Sequence, residues 1–149
     1  MAGVKKSTLV SIGVTLISLY FIFNGIETLT NQTTYVRHFD RKIYNIEAYL
    51  ANSNFLLFSV RAWVEKATGL IIIAMGLLQL VLGSMFLFFE DKHYRKTIVE
   101  CLVVFQLFQA FIVHQPFIEN SETLGIELKH FLTNLMIGFG LIMVLGLRK

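Results

Sequence analysis

Hydrophobic and polar positions along this chain fall into long blocks rather than alternating. Four runs contain no Lys, Arg, Asp or Glu: Ser7 to Ile26, Ala67 to Phe89, Cys101 to Ile118 and Phe131 to Leu147. They are 17 to 23 residues long, and a helix needs about 20 apolar residues, with a working range of about 17 to 25, to cross a bilayer. A closed barrel would instead show shorter segments alternating polar and apolar, which none of these runs does. The pattern predicts an all-α fold, an integral membrane four-helix bundle, in one domain over residues 1–149, with transmembrane helices at about 7–28, 67–89, 98–116 and 130–147. The short connections at 90–100 and 119–129 make the last three helices antiparallel neighbours.

The one long connection, Glu27 to Lys66, has neither Pro nor Gly and carries Tyr35, Phe39, Tyr44, Tyr49 and Phe55 among its charges. Ile43, Ile46 and Leu50 recur at helical spacing, with Arg41, Lys42 and Glu47 elsewhere. This predicts an amphipathic interfacial segment at about 40–66 whose apolar face dips into the headgroup boundary. Asn52-Ser53-Asn54 reads as a turn inside it. Pro116 limits the third transmembrane helix, and Asn120 or Ser121 with Glu122 behind it starts the helix that leads into the fourth.

Composition sharpens this picture. A hydrophobic share of 55% against 15% charged residues excludes an ordinary soluble domain. Cys101 is the only cysteine, so an internal disulfide and any C-x-x-C chemistry are excluded. The net charge of +3 comes from basic residues scattered among loops, which is no nucleic-acid footprint. Counting Lys and Arg for topology gives seven on the side of both termini and six opposite, where the connection from Glu119 to Lys129 also carries three acids. The termini are therefore expected on the inner side. Lys5 and Lys6 precede a first apolar run that is too long for a secretory signal and lacks an A-x-A-like site, so it is expected to be a retained anchor. The sequon Asn31-Gln32-Thr33 lies too close to the first helix to be read as glycosylated.

Small residues form two lines. Gly69, Gly76 and Gly83, with Ala62 before them, repeat every seven residues, and Ser11, Thr15, Ser18 and Gly25 offer a matching line on the first helix. Such lines let helix backbones approach closely in lipid, so they are read as helix-packing positions and not as a site. His114 is the one ionisable group within the four runs, and Gln79, Gln106, Gln109, Asn24 and Asn134 are the other strongly polar side chains near membrane depth. They are read as interhelical hydrogen-bonding groups, with a hydrated path or a quinone-headgroup pocket as the functional alternative. His114, His130 and Gln106 are the candidates for holding a cofactor, quinone or haem, the two histidines being expected on one side of the membrane. His38 and His93 lie in charged connections without partners at metal-ligand spacing. Lys92, Arg95 and Lys96 form a basic turn suited to an anionic lipid headgroup such as cardiolipin. The sequence shows neither a nucleophile-base-acid set nor a phosphate-binding loop.

The sequence resembles the DoxX-like family of four-helix membrane proteins, whose superfamily includes relatives of the Surfeit-locus cargo receptors. The matching pieces are Phe23-Asn24-Gly25-Ile26, Glu65 with Gly69-Leu70 and Gly76, and Asn134-Leu135 with Gly138-Phe139-Gly140. The resemblance implies the four-helix fold and, for some members, a part in quinone-linked redox chemistry. Helix 1 departs from the family in lacking an early basic residue and in carrying Glu27-Thr28 where a lysine is usual. The expectation is a non-catalytic accessory subunit of a large membrane complex, with the mitochondrial respiratory chain as its setting and membrane lipids and other membrane subunits as its partners. The alternatives are a DoxX-like subunit of a quinone-linked oxidoreductase, in a mitochondrial inner or bacterial plasma membrane, and a cargo or chaperone-type adaptor.

Overall fold

A computed structural model describes residues 6–52, 61–89, 91–114 and 121–146. Its elements are α1 (Lys6–Thr30), α2 (Gln32–Asn52), α3 (Arg61–Phe88), α4 (Lys92–Phe108), a π-helical turn (Gln109–Val113) that continues α4, and α5 (Ser121–Gly146). Four stretches are long and apolar enough to cross a membrane: Thr8–Thr30, Lys66–Phe88, His93–Val113 and Leu124–Val144. The chain is thus an all-α integral membrane protein whose bundle is built from α1, α3, α4 and α5. Pro116 and the turn residues Ser53 and Asn54 lie outside the described residues.

α1 and α3 make the most extensive contact in the molecule, and its cause is a lack of side chains. A Cβ built on Gly25 would come within 2.8 Å of the Gly76 carbonyl oxygen and the Leu80 amide nitrogen, and one on Gly83 within 2.8 Å of Phe21 Cβ and 3.1 Å of the Ser18 carbonyl oxygen. Gly76 in turn seats Leu29, whose Cγ would lie 2.8 Å from an added Cβ. Backbone-to-backbone approach of this kind is how helices associate in lipid, where burying apolar surface gives no net drive. The rest of the expected line lies elsewhere. Gly69 is exposed with nothing near its missing Cβ, and Ser11 and Thr15 are exposed too. The pairing of Phe21 with Gly83 and of Gly25 with Gly76 explains Gly69: its partner would fall about seven residues further along α1, which has already ended at Thr30. Ser11 and Thr15 stand one position off the buried stripe of α1, which runs through Val10, Val14, Ser18, Phe21 and Gly25.

The main core joins Phe21, Phe86, Val99, Leu102 and Leu141 at the centre of the bundle. A smaller cluster of Phe39, Ile72 and Val113 fastens α2 to α3 and to the π turn. α2 is amphipathic, as the connection's pattern predicts, but it begins at Gln32, and its fully buried positions are Phe39 and Lys42, with Ile43 packed beside them and Ile46 and Leu50 half-buried. Thr68, almost inaccessible on α3, donates a hydrogen bond of 2.6 Å to Asp40 Oδ1, which fixes α2 further. At the other end of the bundle Asp91 caps α4, its carboxylate accepting from the amides of His93 and Tyr94.

Candidate functional site

Where α1 ends and α5 begins, α1, α2, α3, the π turn and α5 leave between them a chamber of about 580 Å³. Tyr20 and Asn24 of α1, Tyr35 and His38 of α2, Gln79 of α3, Gln109 and His114 at the π turn, and Glu127 and His130 of α5 all line it. So polar a space at the end of an apolar bundle needs its groups satisfied, because an unpaired buried polar atom costs on the order of 1–3 kcal/mol.

Glu127 is the hub. Lys42 Nζ lies 3.0 Å from its Oε1, His114 Nδ1 lies 3.2 Å from its Oε2, and His38 Nε2 is 3.9 Å from Oε1. Each position has a local cause. Lys42 falls three residues after Phe39 on the inward stripe of α2, and Glu127 begins the stripe that continues through Phe131, Asn134, Gly138 and Leu141 down the buried face of α5. His114 is placed by the π turn, whose wider winding lets its amide bond to the Gln109 carbonyl oxygen at 2.9 Å. One π turn within a helix shifts everything after it in register, and such turns recur at functional sites. His114 lies just past the apolar span ending at Val113. Its imidazole is held below its ordinary range by burial, while the hydrogen bond to Glu127 pulls the other way. Tyr35 is pushed up by burial and by the nearby Glu27.

The ligating atoms of His38, His114 and Glu127 lie within 4.8 Å of one another. Gln79 is 1% exposed, and its side-chain oxygen has no hydrogen-bond partner among the described residues, although the side chain borders the chamber. An acceptor is therefore buried, unpartnered among the described residues, in the wall of the chamber.

The sequence candidates separate in this frame. His114 and His130 come together, with ring centroids 5.0 Å apart and planes 26° apart. Stacked rings of this kind are not the arrangement of two axial haem ligands, which approach an iron end-on from opposite faces. Gln106 is fully buried with neither amide atom partnered among the described residues, but it packs towards Gly138 and does not line the chamber. Of the basic turn, Arg95 and Lys96 face apart. Arg95 is buried, its guanidinium lying over the Phe86 ring at 5.7 Å, with Nη2 donating to the Phe86 carbonyl oxygen at 3.4 Å. Lys96 is exposed beside Glu100 at 3.7 Å, and the Lys92 side chain lies outside the described residues.

His38, Lys42 and Glu127 were not legible as site residues in the sequence. The signal that finds two of them is a charge standing on an inward helical stripe: Lys42 after Phe39, and Glu127 before Phe131 and Asn134. His38 gives no such signal, because it meets the others only through the docking of α2. Comparison with protein-family models, with curated proteins and with solved structures finds no match to this chain.

Proposed function

We propose that this chain is a membrane-embedded subunit that holds the headgroup of a quinone-type ligand at one end of its bundle, within a larger membrane assembly. The unpartnered acceptor of Gln79, buried in the wall of a chamber ringed by tyrosines and histidines, carries this reading. A quinone ring presents oxygen atoms on opposite edges: acceptors when oxidised, hydroxyl donors when reduced. Tyr20, Tyr35, His38 and His114 supply groups for one state, and Gln79 supplies the acceptor for the other. Convergent polar groups in a concave space are what fix a small molecule's orientation. The DoxX-like resemblance supports the same chemistry and a mitochondrial inner or bacterial plasma membrane as its setting.

A second reading, the purely structural accessory subunit, is favoured by the pairing of Lys42, His114 and Glu127 with one another, which leaves these charges satisfied without a ligand. One experiment separates the two. The full chain is purified in mild detergent together with whatever assembly it runs with, the lipids are extracted and chromatographed, and the chain alone is titrated with a short-chain benzoquinone. The binding reading expects a saturable quinone site that Gln79→Leu weakens about tenfold, the equivalent of one net hydrogen bond. Stoichiometric migration in a large complex, with no saturable quinone on this chain, would replace it with the accessory reading.

A further inference from the structure

We propose that His38, His114 and Glu127 form a binding site for a divalent transition-metal cation of the zinc class. This goes beyond the quinone reading and does not depend on it. The three residues come from separate parts of the fold, α2, the end of the π turn and α5, and their donor atoms converge within 4.8 Å. Metal–ligand bonds of about 2.0–2.2 Å place neighbouring ligands of a tetrahedral zinc about 3.4 Å apart. The His114 Nδ1 to Glu127 Oε2 separation of 3.2 Å is close to that edge. His38 Nε2 stands further out, 3.9 Å from Glu127 Oε1, with its ring tilted beside that of His114 at 5.9 Å between centroids, so a metal held by Glu127 Oε2 requires a turn of the His38 ring.

The chemistry of the set is as telling as its spacing. Two imidazoles and one carboxylate are a recurrent three-residue zinc set, which leaves a fourth position open. Here all three residues line the chamber. Lys42 occupies the other carboxylate oxygen, Oε1, at 3.0 Å. It thereby holds Glu127 as a one-oxygen ligand and fixes the carboxylate from behind, the service that outer-shell partners perform at metal centres. Charge then decides what completes the site. A divalent ion beside one carboxylate and one ammonium leaves excess positive charge in a poorly solvated place. The fourth ligand is therefore expected to be hydroxide or an anionic group rather than a further neutral side chain. His130, exposed and stacked on the His114 ring, steadies that ring from outside.

The test uses the full chain in lipid nanodiscs, stripped with a chelator and titrated with Zn²⁺ and, separately, with Co²⁺ as a spectroscopic probe. Bound metal is counted by plasma mass spectrometry. One ion per chain and a tetrahedral cobalt band in the visible are expected. His114→Ala and His38→Ala should each weaken Zn²⁺ binding roughly 100-fold or more, above the 10- to 100-fold typical of outer-shell changes. His93→Ala, at the opposite end of the bundle, should change nothing. His38→Asn, at the more exposed position, serves if the alanine variants fail to fold, which circular dichroism and size-exclusion profiles report. Substoichiometric metal, no cobalt band, or equal weakening by His93→Ala overturns the proposal. Quinone titration of the same samples reads the ligand proposal separately, so either can fail alone.

Discussion

Lys42 Nζ and Glu127 Oε1 stand 3.0 Å apart with 1% and 7% of their side chains exposed, an ion pair that ties α2 to α5. Removing one partner of a buried pair strands the other charge, which costs about 3–5 kcal/mol, whereas replacing both with well-packed apolar groups is often neutral. Lys42→Met should therefore destabilise by about 3–5 kcal/mol, and Lys42→Met with Glu127→Leu should recover most of the loss. Denaturant unfolding of the two single variants and the double variant in detergent gives the coupling energy directly. Additive losses would show that the pair is not energetically coupled.

The α1–α3 seam makes a contrast between glycines measurable. Gly25→Ala and Gly83→Ala force atoms apart where an added Cβ has under 3.0 Å to its neighbours, and overpacking of this kind costs about 1–3 kcal/mol. Gly69→Ala meets nothing and should gain up to about 1 kcal/mol from helix propensity alone. Thermal unfolding of the three variants checks the signs, and a loss at Gly69 equal to that at Gly83 would mean the seam extends further than described.

Arg95 and Lys96 are neighbours in sequence with opposite fates. Arg95→Ala strips a guanidinium from the Phe86 ring and carbonyl oxygen, and a loss of about 1–3 kcal/mol is expected. Lys96→Ala breaks only an exposed pair with Glu100 and should stay within about 0.5 kcal/mol. The same unfolding assay measures both, and equal effects would contradict the inward orientation of Arg95.

Cys101 is exposed near the middle of the span His93–Val113, bordering a shallow apolar groove with Leu78, Val104 and Phe108. Its thiol is expected to face lipid. A charged, membrane-impermeant maleimide should leave it unlabelled in sealed vesicles from either side, whereas denaturation in detergent should expose it fully. Rapid labelling in intact vesicles would place it in water instead.

The spans were legible because a membrane demands about 20 consecutive apolar residues, a requirement written locally in the chain. The seam was half legible. Gly76 and Gly83 were found by their spacing, but where the seam stops depends on where α1 turns at Asn31, and no line of glycines on α3 records that. The site was the least legible. His114 stood out as an ionisable group in an apolar run, yet its partners His38, Lys42 and Glu127 lie 76, 72 and 13 positions away and meet it only in the fold. Charges on connections ordinarily face water. These are drawn inward because α2 packs its Phe39 face on α3 and the π turn, and it carries Lys42 with it.

The π turn also makes the chamber sensitive to a change that alters no side chain at all. Were the same residues, Gln109 to Val113, to wind as a regular helix, the turn would no longer absorb its extra residue, and each residue of a helix advances the direction of the next by about 100°. His114 would then swing away from Glu127, while every apolar residue before the turn kept its place in the core. The bundle would still insert into its membrane, missing only the alignment that the one extra residue in the turn maintains.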